Sequence, residues 1–159
     1  MSERKTILIT GCSSGIGRCV AEGLKSRGYR VIATARKTDD VRVLAECGFD
    51  ALPLDLDHSR SIADAVDNAL EIANGRLFGL FNNGAYGQPG AVEDLSREAL
   101  RAQFESNLFG WHELTCRVIP VMRRQGEGRI IQNSSILGFM GLPYRGAYVA
   151  SKFALEGLS

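Results

Sequence analysis

Metal and disulfide chemistry have little to work with in this chain. Its 159 residues include only four cysteines and two histidines. Cys12, Cys19, Cys47 and Cys116 form no CxxC pair and have no histidine beside them, which argues against a zinc site or a disulfide framework. They read as buried free thiols of a reducing cytoplasm, and no metal is expected. His58 and His112 lie far apart and read as surface or partly buried residues. No apolar run approaches the ~20 residues of a membrane span. The formal net charge is only +1, so nothing in the balance calls for nucleic acid or an anionic membrane. The opening Met1-Ser2-Glu3-Arg4-Lys5 runs into Ile7-Leu8-Ile9 without the long apolar core of a secretory signal. Internal repeats and linker-like tracts are also missing.

What is present is an alternation of short apolar runs with amphipathic stretches, the pattern of βαβ units. Lys5–Thr10, Tyr29–Thr34, Phe49–Leu54, Leu77–Asn82 and Arg129–Asn133 read as short strands buried on both faces. Ile16, Cys19, Val20 and Leu24 form one helical stripe; Ile62, Ala65, Val66, Ala69 and Ala73 form another. The longest stripe joins Leu100, Phe104, Leu108, Trp111, Thr115, Val118 and Met122, with Ser96 as its N-cap. Pro120 inside that stripe should kink the helix or end it a turn earlier. Five strands with right-handed crossovers give an α/β, doubly wound, Rossmann-like parallel sheet, in a single domain over residues 1–159.

The run Thr10-Gly11-Cys12-Ser13-Ser14-Gly15-Ile16-Gly17 follows the first strand and opens the first helix. Glycines there allow a tight turn and a close backbone approach. The helix N-terminus offers free N–H groups and a positive dipole end to a pyrophosphate. Gly11, Ser13, Ser14, Gly15, Ile16 and Gly17 are therefore candidate cofactor contacts, although the spacing is GxxxGxG and not the commoner GxGxxG. NAD sites place an acid about 20 residues further on, for the ribose 2′-hydroxyl. Ala35 stands there instead, followed by Arg36 and Lys37. An acid would repel a 2′-phosphate and Arg36 can grip one, so the expected cofactor is NADP (NADPH). Asp55, beside Leu56 at the end of the third strand, can accept from the adenine amino group. The alternative task of capping the helix near Ser59 suits Asp57 better. In Asn82-Asn83-Gly84-Ala85, Gly84 would let the backbone lie against a ribose, and the asparagines would tie loop carbonyls together; a plain turn is the other reading.

Tyr148 and Lys152 are four residues apart, on one face of a helix. An ammonium placed there can favour the phenolate of a group whose reference pKa is about 10. This is a route to proton transfer at a carbonyl or alcohol.

In order and spacing these stretches resemble the short-chain dehydrogenase/reductase family along the whole chain. The Gly-rich turn matches Thr10–Gly17, the adenine-contacting acid Asp55, and the Asn-Asn-Ala-Gly motif appears with its last two residues exchanged. The helix-borne Asn matches Asn107 and the YxxxK motif matches Tyr148 and Lys152. The Ser matches Ser135, because the family's interval of 13 to the tyrosine selects it over Ser134. Tyr144, which has no lysine four residues on, reads as a cleft-lining residue. The segment from Met140 to Leu158 looks especially like hydroxysteroid and retinol dehydrogenases.

The resemblance implies Tyr148 as general acid or base, with Lys152 lowering its pKa and holding the nicotinamide ribose. It also implies Ser135 polarising the substrate carbonyl and Asn107 anchoring a water that refills Tyr148 through Lys152. The expected activity is hydride transfer between NADP and a carbonyl or secondary alcohol of an apolar small molecule, in a cytoplasmic homo-oligomer joined through the long helices. Family members continue well beyond Ser159. A fragment is therefore expected, with the fifth strand an unprotected edge. A catalytically silent nucleotide-binding or dimerising fragment is the alternative, and an epimerase-like relative, which also uses YxxxK, is a third.

Overall fold

Alternation along the strands decides the layers. The computed structural model describes residues 4–159, which share one five-stranded parallel sheet. Every residue of β1 (Thr6–Ile9) is buried. Leu8 belongs to the apolar cluster on one face, while Ile7 and Ile9 belong to the cluster on the other. Leu8 stands opposite Ile32 of β2 (Arg30–Ala35) and Leu80 of β4 (Gly79–Asn82). With β3 (Asp50–Pro53) and β5 (Arg129–Gln132) the strand order is β3-β2-β1-β4-β5. The direction of winding reverses between β1 and β4, which opens a crevice at their carboxyl ends.

Helices α1 (Gly15–Ser26) and α2 (Thr38–Glu46) cover the Ile7 and Ile9 face, through Ala21 and Leu44. The Leu8 face is covered by α3 (Ser59–Ile72) and α5 (Gly110–Gln125), through Ile62, Ala65, Val66, Leu114 and Val118. Helix α4 (Arg97–Phe104) begins at Ser96, whose Oγ accepts the Ala99 N–H at 3.2 Å, as expected of an N-cap. It passes through a five-residue π-helical turn, Glu105–Phe109, into α5. A final helix, α6 (Gly146–Leu158), packs against that turn and carries Tyr148 and Lys152.

Several expectations are corrected. Of the two outcomes expected at Pro120, the early end is the one overturned: helix α5 runs through to Gln125. Pro120 and the residue one turn before it, Cys116, lie on the exposed face, where the carbonyl that loses its N–H partner can turn to water. Buried Val118, Val121 and Met122 hold the helix down on both sides of the break. Helix α1 turns Gly17 and Ala21 inward, whereas Ile16 is 60% exposed and Cys19 is also at the surface. Val20 and Leu24 do pack against the core cluster, while Gly17 faces inward because the start of α1 nearly touches the Gly11 carbonyl. Only Cys12 of the four cysteines is buried, and its thiol is pushed up to about 11 by that burial. The sheet margins β3 and β5 are half-buried, with Ile131 58% exposed, because each has a strand on one side only.

Candidate active site

A ladder of hydrogen bonds crosses the carboxyl ends of three strands. Thr10 Oγ1 accepts the N–H groups of both Asn83 and Gly84 at 2.8 Å. Asn83 Nδ2 donates to the carbonyls of Thr10 and Gly11 at 2.9 and 3.1 Å, so this asparagine does tie the two loops together. Its Oδ1 accepts from Asn133 Nδ2 at 2.8 Å, and the Asn133 carbonyl accepts from Lys152 Nζ at 2.9 Å. The Gly-rich turn after β1 is thereby fixed relative to the lysine of α6. Asn82 stays out of this ladder. Its fully buried amide donates to Thr115 Oγ1 and Gln132 Oε1, turned into the sheet end.

The Gly-rich turn is shaped by backbone contact. A Cβ on Gly17 would stand 2.2 Å from the Gly11 carbonyl oxygen, and one on Gly11 would stand 2.6 Å from Gly84 Cα. Gly11 and Gly15 both have positive φ, +69° and +58°. Ser14 occupies the N-cap position of α1 but its side chain makes no capping bond, and the first turn holds no acid. The leading N–H groups of α1 are therefore left to an outside acceptor. Beside the turn lies a cavity of about 610 Å³. Gly11, Ser13, Arg36, Asp55, Leu56 and Gly84 line it, together with Lys37, Asp40, Tyr86 and Ser106. Ser14, Gly15, Ile16, Gly17 and Asn82 do not contribute to its walls.

Asp55 closes a local turn: its Oδ1 accepts the Asp57 N–H at 3.1 Å, and its own N–H donates to Ser61 Oγ at 2.9 Å. Asp57 does not cap α3, contrary to expectation. The N-cap position is His58, without a side-chain bond, and the Asp57 carboxylate accepts the Ser106 hydroxyl. The π turn puts Ser106 within that reach.

Lys152 is only 1% exposed. Its ammonium lies 4.3 Å from the Trp111 ring centroid and 5.7 Å from that of Tyr148. Burial pushes its pKa down from 10.5 to about 8, partly opposed by the charge of Glu156. Trp111 is itself anchored, its Nε1–H donating to the Gly84 carbonyl at 2.7 Å. Tyr148 lines a second cavity, about 360 Å³, with Ala85, Tyr86, Gly87, Leu137 and Arg145. Ala85 and Tyr86 border both cavities. Ser135 Oγ accepts the Leu137 N–H at 3.2 Å, which leaves its own O–H free to donate. Ser134 Oγ is instead buried without a partner. Asn107 Nδ2 donates to the Tyr86 carbonyl at 2.9 Å and to Ser151 Oγ at 3.3 Å, while its Oδ1 accepts the Tyr86 N–H at 3.2 Å. Tyr144, 69% exposed, lines neither cavity.

The profile of the family described as short chain dehydrogenase matches residues 5–159. The chain belongs to that family. An uncharacterized oxidoreductase of Escherichia coli, YbbO, is 45% identical over 98% of this chain and 58% of its own length. Human 17-beta-hydroxysteroid dehydrogenase type 1 is 39% identical over 98% of this chain and 50% of its own. The crystal structure of a short-chain dehydrogenase from Streptomyces avermitilis superposes with a TM-score of 0.91 at 38% identity, covering 100% of this chain and 60% of that one. A Burkholderia phymatum member solved with NAD has a TM-score of 0.89 at 29% identity, over 99% and 59% of the two chains. A metagenomic member solved with NADP has a TM-score of 0.88 at 32% identity, over 99% and 74%. The chain thus spans between half and three-fifths of the length of these curated relatives.

For a short chain dehydrogenase, some of the parts that assemble this site carry no obvious signal in its motifs. Thr10 opens the glycine turn in the motif, and its hydroxyl also serves two loop N–H groups. Gln103 is fully buried; its Nε2 donates to the Tyr86 carbonyl at 2.8 Å and its Oε1 accepts the Gln88 N–H at 2.7 Å. A glutamine at a core-facing helical position was the available clue, because a buried amide needs partners. Gly110 lets α5 start against β3's end: a Cβ there would stand 2.3 Å from the Leu56 carbonyl oxygen.

Proposed function

We propose that the protein is an NADP-dependent oxidoreductase acting on a carbonyl or secondary alcohol of a small, largely apolar molecule. The observation that carries this reading is the buried Lys152 ammonium, held between Asn133, Trp111 and Tyr148 at the carboxyl ends of the strands. The cradle fits a dinucleotide. The uncapped start of α1 and the Gly11–Gly84 approach would receive the pyrophosphate, Asp55 and Leu56 the adenine, and Arg36 with Lys37 the 2′-phosphate. NADPH, when bound, supplies the hydride. Tyr148 gives a proton to the substrate oxygen during reduction and takes it back during oxidation. Ser135, with its O–H unused, donates to the same oxygen and polarises the carbonyl. Lys152 orients the cofactor ribose and keeps positive charge beside Tyr148.

Asn107 holds the Tyr86 peptide from both sides, and its Oδ1 retains a lone pair for a water that relays protons toward Lys152. The π turn adds to this, because returning from π to α register frees one backbone carbonyl. Exposed Phe109 and Phe153, on the π turn and α6, suit contact between copies in a homo-oligomer. Among the described residues no helix is long and apolar enough to cross a membrane. The free thiols suit a reducing cytoplasm.

The test uses the natural full-length protein. NADPH is expected to raise its melting temperature more than NADH does. Tyr148→Phe should keep that shift while losing aldehyde and ketone reduction. Equal shifts with the two cofactors remove the NADP assignment, and retained turnover in Tyr148→Phe removes Tyr148 from its role.

A further inference from the structure

The 360 Å³ cavity beside Tyr148 contains one charged side chain, Arg145. Among the described residues, seven of the eighteen other lysines and arginines (Lys5, Arg18, Arg30, Arg42, Arg60, Arg76 and Arg117) lie within 4 Å of a carboxylate. Among the described residues, no carboxylate comes that near Arg145, and its guanidinium makes no recorded hydrogen bond. Its backbone, by contrast, is fixed. The Arg145 N–H donates to the Leu142 carbonyl at 3.2 Å, and the Arg145 carbonyl accepts the Val149 N–H at 2.8 Å. This places Arg145 at the N-cap position of α6, three residues before Tyr148 and on the same cavity.

The segment that delivers it is strained. Tyr144 has φ +60°, a left-handed conformation uncommon for an aromatic residue, and its carbonyl is held by the Gly90 N–H at 3.0 Å. That bond ties the loop after β4 to the segment before α6. Apart from Arg145 and the Tyr86 and Tyr148 hydroxyls, the side chains on the cavity wall are apolar, Ala85 and Leu137.

We propose that Arg145 is a specificity-determining residue that receives an anionic group of the substrate, so that the preferred substrate is an amphipathic carbonyl compound bearing a carboxylate or similar oxyanion. The inference rests on the oxidoreductase reading above. A guanidinium fork matches a carboxylate through two parallel N–H···O bonds. Ala85 and Leu137 offer apolar surface to the hydrocarbon part, and Tyr148 lies on the same cavity for the carbonyl. Arg145 does not line the 610 Å³ cavity, which separates this task from holding the cofactor's phosphates.

The experiment compares an ω-oxo fatty acid with its methyl ester as aldehyde substrates of the natural full-length protein with NADPH. The acid should show kcat/KM about tenfold higher than the ester, equivalent to about 1.4 kcal/mol, and the preference should shrink as ionic strength rises. Arg145→Leu should lower kcat/KM for the acid about tenfold more than for the ester, through KM, and Arg145→Lys should recover part of the difference. An unaltered NADPH-induced melting shift in Arg145→Leu shows that fold and cofactor site are intact. Equal use of acid and ester by the wild type overturns the proposal. So does an equal loss for both substrates in Arg145→Leu, or a raised KM for NADPH in that variant. No turnover of any aldehyde or ketone would instead overturn the oxidoreductase reading, and this proposal with it.

Discussion

Replacing Lys152 by methionine isolates the energetic cost of holding an ammonium under Trp111 and Tyr148. In the folded chain Lys152 is 1% exposed and its pKa is pushed down from 10.5 to about 8 by burial. In the unfolded chain it regains the ordinary lysine value. At neutral pH both states hold the proton, so the full penalty for the buried charge is present. Between about pH 8 and 10.5 the folded state releases the proton while the unfolded state keeps it. The unfolded state then binds more protons, and stability rises with pH through that window. At about 1.4 kcal/mol for each pH unit, the gain is about 3 kcal/mol. The Asn133 carbonyl, which accepts from Lys152 Nζ at 2.9 Å, loses its donor in Lys152→Met, but that cost does not vary with pH. The assay is urea unfolding of the cofactor-free protein and of Lys152→Met across pH 7 to 10.5, read as the difference in unfolding free energy. Subtraction cancels titrating groups remote from Lys152. The wild type should gain about 3 kcal/mol on the variant as pH rises. A flat difference would mean that the ammonium is as well solvated folded as unfolded. A difference that falls with pH would refute the burial argument outright.

Two further outcomes follow from glycine contacts. Gly17→Ala should destabilise the protein by more than about 2 kcal/mol in urea unfolding and abolish the NADPH-induced melting shift. The added Cβ would lie 2.2 Å from the Gly11 carbonyl, a backbone atom that cannot step aside; wild-type stability would show that α1 does not approach so closely. Gly87→Ala places a Cβ 3.3 Å from Tyr148 Cδ2, tight enough to shift the ring. It should lower kcat about tenfold or more, because misplacement of a reacting group is costly, and leave the NADPH melting shift intact. Unchanged kcat would show that the ring tolerates the push.

Apolar periodicity made the strands and most of the core legible, and it failed where packing is close or polar. It found the α3 stripe, because Ile62, Ala65, Val66 and Ala69 all enter the core. It missed α2, where Asp39, Asp40, Arg42 and Glu46 leave Leu44 as the one buried residue. It was half right for α1, where Val20 and Leu24 pack on the core but Ile16 and Cys19 face outward, since a helix start that nearly touches a loop presents glycine there. The π turn at Glu105–Phe109 was invisible for a different reason. Its register change is stabilised from outside, through Asn107 and Ser106 bonding to Tyr86 and Asp57 across the fold, and no local propensity records that.

The exchanged pair Gly84-Ala85 shows which backbone contact the motif spacing encodes. A motif reader counts the exchange as a departure, but the steric demand falls elsewhere. A Cβ on Gly84 would meet the Gly11 nitrogen at 3.2 Å and Leu56 Cδ1 at 3.4 Å, crowded yet near ordinary contact. A Cβ on Gly11 would meet Gly84 Cα at 2.6 Å, which no side chain can survive without moving backbone. The approach of the two loops is therefore enforced by Gly11, with Thr10 and Asn83 clamping it through four hydrogen bonds. Residue 84 needs only to be small and to offer its carbonyl to Trp111. A motif survives such an exchange when its letters stand for backbone contacts, because the fold tests the contact and not the letter.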